Sequence, residues 1–366
     1  MAPWACPWAT VEPTLDGHLG GSAAVLGTLL SIVGLALLAW YVYERSRRKT
    51  HAVPAGLQPD ITLPHQKEWE LYHNALSLCS KKTRLCMAEL GLPYRSHHID
   101  LIETGAYQNL SREFLAVNPA ATVPVLVHEG HPIYESHEQI RYAAEHAPEG
   151  TSLIPQDSAL AAEMNAWIDR SSLIGDDPIK DMAASAGNAV PGLTVPLFAT
   201  MVEDIPYTKI LEGLLFHRLR QRPMLFLAMK RFGLARLFRK GPAGPIVRKS
   251  AREMHRHLDE LAAQLEKTGG PWILGETFSL ADVSWAVVLE RLREADSLHV
   301  FIGEDLRPAV AAWWERLRAR PSYHAAIALH EHPTVTRGLE RIRAAKAADP
   351  ELRRALEPAQ EEEASP

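Results

Sequence analysis

WELYHNALSLCSKKTRLCMAELG, residues 69–91, changes its hydrophobic period once, and that change sets the architecture of the 366-residue chain. Glu68–His73 alternates apolar and polar side chains, the period-two pattern of a strand. Across Ser80–Leu90 the apolar residues recur at helical spacing, and Gly91 stands where a helix end favours glycine. Further along, Tyr94–Asp100 reads as a second strand and Arg112–Val117 as a short helix. Thr122–His128 and Pro132–Tyr134 form a hairpin around Glu129–Gly130, and Ser136–His146 is a helix opened by a serine N-cap. The order β-α-β-α-β-β-α over residues 68–148 is a compact α/β module. Beyond Pro155 the pattern turns helical: Leu160–Leu173, Ile246–Lys267, Leu280–Ala295 and Pro308–Arg320 predict an all-α domain over 156–330. Ser279-Leu280-Ala281-Asp282 spells a capping box before one of these helices and has a folding role.

No Asp, Glu, Lys or Arg occurs from Gly17 to Tyr43, a run of 27 residues. That length crosses a hydrocarbon layer of about 30 Å. Trp40, Tyr41 and Tyr43 gather at one end, where amphipathic rings favour the interface. Arg45, Arg47, Arg48 and Lys49 follow at once, whereas residues 1–16 carry no Lys or Arg. The positive-inside rule then predicts one transmembrane helix over 17–43, with 1–16 extracytoplasmic and the folded body cytosolic. A cleaved secretory signal competes, but the basic n-region is missing and the run exceeds an h-region. Residues 44–67 hold Pro54, Pro59 and Pro64 without apolar periodicity and read as a linker. Residues 331–366 read as a helical or disordered tail ending in acidic residues.

A net charge of −5 argues against a nucleic-acid protein, which needs a basic face for phosphates. The 3 cysteines, Cys6, Cys79 and Cys86, are too few for a disulfide framework and suit a reducing compartment. On one helix, Cys79 and Cys86 lie about 10 Å apart at 1.5 Å per residue, too far for a disulfide. No metal-binding spacing such as His-Glu-x-x-His and no glycine-rich phosphate loop is present.

Three short segments carry candidate chemistry. Ser77 begins the first helix of the module, where a serine reads as an N-cap that satisfies helix donors. Cys79 lies in the first helical turn near Lys81, Lys82 and Arg84, and both the helix dipole and nearby cations lower a thiol pKa. Cys86, two turns on, reads as a small core residue. Val123–Pro124 enters a strand, a position that tolerates the missing proline donor. Glu135–Ser136 opens a helix, a ready carboxylate site or simply a capped helix.

A small α/β module followed by a helical one, with Ser-Leu-Cys-Ser-Lys-Lys-Thr-Arg at 77–84 after the first strand, resembles the glutathione transferases over most of Trp69–Ile327. It is similar in particular to the zeta-like branch and the tetrachlorohydroquinone reductive dehalogenases, through Pro271–Gly275, Ser279–Trp285 and the Arg318–Ser322 region as well. A weaker similarity is to the ganglioside-induced differentiation-associated proteins, membrane-anchored members with an enlarged helical domain. The resemblance implies a thioredoxin-like N-terminal domain plus an all-α C-terminal domain, glutathione as cofactor, a small electrophilic substrate and a homodimer. It implies Ser77 as the activating hydroxyl and Cys79 as the thiol that resolves a mixed disulfide with glutathione. It further implies a cis bond before Pro124, backbone pairing of Val123 with the cysteinyl unit, and Glu135 with Ser136 at the γ-glutamyl end. Leu78 replaces the second serine of the usual zeta motif, and Lys81–Arg84 replaces its Trp-Arg-Val-Arg ending, which counts against isomerase chemistry.

The helical domain carries a basic insertion at about 187–252. Between Glu212 and Glu253 there are eleven cations and no acid, interleaved with large apolar residues. Such a segment can lie on anionic lipid, or pack on its own domain with its cations solvated. The insertion and the anchor also suit a non-catalytic membrane scaffold, whereas the intact Ser77, Pro124, Glu135 and Ser136 set suits an enzyme.

Overall fold

The computed structural model describes residues 16–175, 177–217 and 219–358. The N-terminal 1–15 stretch, with Cys6, and the acidic end of the tail, 359–366, lie outside the described residues. The chain forms two units, Met1–Lys49 and Thr50–Pro366.

The first unit is the helix α1 (Asp16–Arg47). Its Ala24–Arg47 portion is long and apolar enough to cross a membrane, by length and composition. At its end Arg45 donates to the Tyr41 hydroxyl at 2.7 Å, and Arg47 lies over the Tyr43 ring.

In the second unit the period-two segment becomes β2 (Trp69–His73), followed by α2 (Leu78–Glu89) and β3 (Arg95–His98). After α3 (Arg112–Val117) come the hairpin strands β4 (Val125–His128) and β5 (His131–Tyr134), then α4 (Ser136–Glu145). β2 pairs parallel with β3 and antiparallel with β4, and β4 pairs antiparallel with β5. Leu71 faces Leu126, which faces Ile133 in turn, and these three are fully buried with Leu85 and Ile140 of the covering helices.

The 44–67 linker reading needs correction. Its Gly56–Leu57 is an edge strand, β1, antiparallel to β5, which makes the sheet β1-β5-β4-β2-β3. The Leu63 N–H donates to the Gly130 carbonyl at 2.8 Å, and the Leu63 side chain is buried with Phe114, Val125, Val127 and Tyr134. Two residues of strand held by a neighbour's free edge leave no periodicity to read.

The helical part comprises α5 (Ser158–Ser171), α6 (Ala186–Met201), α7 (Tyr207–Phe216), α8 (Gln221–Phe238), α9 (Gly244–Thr268) and α10 (Leu280–Glu294). It continues through α11 (Leu298–Phe301), α12 (Pro308–Arg318), α13 (Pro321–Ala326), α14 (Pro333–Ala348) and α15 (Pro350–Leu356). The basic insertion begins with α6, which is buried almost all round, as its uniformly apolar sequence requires. The tail is helical and packed over its described part. Thr200 Oγ1 on α6 donates to the Gly338 carbonyl on α14 at 2.9 Å, and a Cβ at Gly338 would meet Met201 Cγ at 2.6 Å.

Asp282 anchors the helical core. Its carboxylate accepts from the backbone N–H of Ile273 and of Ser279, the Ser279 hydroxyl and the Trp313 indole, at 2.8–3.2 Å. Burial raises its pKa from the ordinary 3.8 to about 6, against those hydrogen bonds. Asp282→Ala strands several buried donors at roughly 1–3 kcal/mol each, so it should destabilise by at least about 3 kcal/mol in urea denaturation. Because the folded state holds the proton more tightly, the Asp282 contribution is present in full below the ordinary 3.8 and is lost as pH rises through about 6. The stability of wild type relative to D282N should therefore fall across that window and level off above it.

Candidate functional site

Strand polarity brings the candidate segments together. β4 runs antiparallel to both β2 and β5. The end of β2, the start of β4 and the end of β5 therefore lie at one edge of the sheet. From that edge lead Ser77 into α2, Val123–Pro124 into β4, and Glu135–Ser136 into α4. Gln139, fully buried, ties all three. Its amide nitrogen donates to the carbonyls of Pro124 and Ile133, both at 2.9 Å, and its amide oxygen accepts from Thr83 Oγ1 of α2 at 2.8 Å.

Ser77 is the N-cap of α2, and its oxygen accepts from the Ser80 N–H at 3.2 Å. A hydroxyl has two acceptor positions and one donor, so this cap leaves the proton free to donate elsewhere. The turn before it is held by Asn74, whose Oδ1 accepts from the N–H groups of Leu76 at 2.9 Å and Ser77 at 3.3 Å. Asn74 Nδ2 donates to the Ile99 carbonyl and to Thr104 Oγ1. Arg291 of α10 donates to the Leu76 carbonyl, and Leu76 itself is buried with Leu197 and Met201 of α6 and Val335 of α14. Asn74 and Arg291 escaped the sequence reading. An asparagine directly after a strand was the available sign of the first, since its side chain readily closes a turn.

The Val123–Pro124 peptide is cis. Glu135 caps α4 at φ 66°, a left-handed conformation that costs a non-glycine residue about 1–3 kcal/mol and concentrates at functional sites. Ser136 is buried beneath it. Glu135 faces solvent, yet neighbouring protein desolvates its carboxyl enough to raise its pKa, against the pull of Lys82.

The cations expected around Cys79 are distributed differently. Lys81 is buried and paired with Glu294 and Glu290 of α10. Arg84 is buried too, donating to the carbonyls of Ala326 at 2.8 Å and Asn74 at 3.0 Å and to His73 Nδ1 at 3.1 Å. Both hold domains and turns together. Lys82 alone is coupled electrostatically to Cys79 and Glu135. It is fully buried, donates to Ser172 Oγ at 3.0 Å, and burial lowers its pKa to about 8. The helical spacing that exposes Cys79 places these three long side chains against the second domain, which sequence patterning could not show. A cleft of about 350 Å³ lined by residues including Arg293, His299, Trp314 and Arg343 shares no side chain with this constellation.

Residues 76–146 match the family "Glutathione S-transferase, N-terminal domain" and residues 244–345 match "Glutathione S-transferase, C-terminal domain". The chain belongs to the glutathione S-transferase superfamily. It is 28% identical over 250 residues to glutathione S-transferase TCHQD of Arabidopsis thaliana, covering 67% of this chain and 84% of that one. It is 26% identical over 250 residues to the tetrachloro-p-hydroquinone reductive dehalogenase of Sphingobium chlorophenolicum, covering 68% and 90%. The β-etherase LigF from Sphingobium sp. strain SYK-6 superposes with a TM-score of 0.57 at 19% identity, over 72% of this chain and 100% of that one, which shows the shared fold. The transferase fold thus runs through both domains, with the stretch between the two family matches supplying α5 to α8.

The two described thiols differ sharply in environment. Cys86 is fully buried, its Sγ lies 3.7 Å from the Ile140 carbonyl, and burial pushes its pKa far up. Cys79 is half-exposed. Iodoacetamide should therefore alkylate Cys79 in the native chain and reach Cys86 only after denaturation, as read by peptide mass spectrometry. Equal labelling of both under native conditions contradicts this assignment.

Proposed function

We propose that this protein is a membrane-anchored glutathione transferase that conjugates, or reductively dehalogenates, a small electrophile. The observation that carries the reading is the Gln139 bridge, which sets Ser77, Val123–Pro124 and Glu135–Ser136 at one sheet edge in a transferase fold. Glutathione lies along that edge with its γ-glutamyl carboxylate at the N-terminus of α4, where Ser136 and free N–H groups favour an anion. The Val123 backbone pairs with its cysteinyl unit, and the Ser77 hydroxyl donates to its sulfur, which favours thiolate over thiol.

In conjugation the thiolate attacks the electrophilic carbon and the leaving group departs with its electron pair. In reductive dehalogenation the resulting thioether is attacked at sulfur by the Cys79 thiolate. The carbon leaves with the bonding pair and takes a proton, and Cys79 remains as a mixed disulfide with glutathione. A second glutathione reduces that disulfide, releasing oxidised glutathione and restoring Cys79. The names of the two relatives favour an enzyme over a non-catalytic scaffold.

Titration calorimetry with reduced glutathione on the full chain should show binding, and Ser136→Ala should weaken it by about 1 kcal/mol or more. Ser77→Ala should severely reduce conjugation. Cys79→Ser should leave conjugation intact while a halogenated hydroquinone accumulates as its glutathionyl adduct. Absence of glutathione binding by the wild type, or wild-type behaviour of every variant, returns the scaffold reading.

α1 is the anchor in this reading, with the short N-terminus outside and the body in the cytosol, and the body forms homodimers as transferases often do. Cation asymmetry across Gly17–Tyr43 supports the orientation. Protease added to sealed vesicles of known sidedness should cut the body only from the cytosolic face. Digestion from the opposite face reverses the topology.

A further inference from the structure

α7 and α8 face solvent with the side chains that usually turn inward. Outside α1, seven of the twelve exposed large hydrophobic residues among those described fall between Tyr207 and Phe232. Tyr207 is 56% exposed, Met224 59% and Phe232 48%, and Leu211, Leu225 and Leu227 are exposed as well. The inner face of α8 is already occupied: Pro223, Phe226, Met229, Leu237 and Phe238 are buried against the body. Lys230 adds hydrogen bonds to the carbonyls of Val202 and Glu203, and Arg222 pairs with Glu103. The outer apolar face is therefore no requirement of the fold.

That outer face is also cationic. Arg220 and Arg231 are exposed on it, Arg236 is exposed beyond the kink at Gly233, and none of the three forms an ion pair among the described residues. The Arg231 guanidinium lies 5.9 Å from the centre of the Phe232 ring. At helical spacing Met224, Leu227, Ala228 and Arg231 share one stripe, flanked by Leu225 and Phe232, and the helix kinks just beyond it at Gly233, whose φ is 73°. Apolar residues that reach into the headgroup layer, with arginines able to meet lipid phosphates, make an interfacial helix.

We propose that the outer face of α7 and α8 docks on an anionic bilayer surface. Charge complementarity chooses this occupant over a second copy of the chain. A twofold contact sets the same patch against itself. With no acid between Glu212 and Glu253, that contact would oppose arginines to arginines. The inference deepens the membrane reading and rests on α1 delivering the body to a bilayer. Tethering makes docking effectively intramolecular, so a patch too weak to hold alone suffices. The transferase body then rests against lipid, where apolar electrophiles concentrate.

The test is hydrogen–deuterium exchange of the full chain, inserted through α1 into nanodiscs of phosphatidylcholine alone or mixed with phosphatidylserine. Peptides covering 207–238 should exchange more slowly in the anionic discs, and high salt should reverse this. Arg231→Glu should lower that protection about fivefold or more, following roughly 1 kcal/mol per surface cation. The double variant M224E/F232E should abolish it without altering circular dichroism or glutathione turnover. Equal exchange in both disc types overturns the proposal, as does protection that survives M224E/F232E. So does protection that grows with the number of chains per disc, which identifies a second copy. If the chain does not enter discs, the anchor reading fails. Sedimentation with anionic and neutral vesicles then reads the surface separately, and equal binding to both overturns it.

Discussion

The buried amide of Gln139 is the joint on which the site depends. One side chain accepts from Thr83 of α2 and donates to the carbonyls of Pro124 and Ile133. Each partner sits on a different segment that leads to the sheet edge. An amide has the two-sided valence this task requires, an acceptor and two donors in fixed geometry. A carboxylate could not donate to the carbonyls, and an apolar residue would take this donor from both carbonyls in a dry interior, at about 1–3 kcal/mol apiece.

α2 shows how a catalytic helix can also be the main seam between two domains. Lys81 reaches the acids of α10, Lys82 reaches Ser172, and Arg84 reaches the carbonyl of Ala326. Burying three cations on one helix is costly unless each is met by acceptors, and here each is. The seam limits motion of the Ser77 turn, because Arg84 and Arg291 hold the carbonyls of the residues just before it. The helical domain adds a second backing layer, with Leu76 seated on α6 and α14. These helices support the site from behind, while α7 and α8 turn an apolar, basic face to solvent.

Much of this was legible in residue order. Period two at Trp69–His73, helical spacing at Ser80–Leu90 and the hairpin around Gly130 match elements present in the structure, because each signal is local and each element buries one face. The capping box at Ser279–Asp282 was legible for the same reason. β1 was not, since an edge strand of two residues is defined by its neighbour. Nor was the packing of the tail, where α14 meets α6 far back in the chain.

Sequence order and spacing were enough to establish the α/β module, the helical domain, the apolar N-terminal run and the three candidate segments. Those properties follow from neighbours a few residues apart, and local hydrophobic periods encode them. Which cations face Cys79, which residues hold the Ser77 turn, and which face of the basic insertion remains open to solvent were settled only in three dimensions. Lys81, Lys82 and Arg84 are chemically similar and adjacent, yet they go to three destinations because α10, Ser172 and α13 approach α2 from different sides. Contacts between residues 90 to 242 positions apart leave no trace in local spacing.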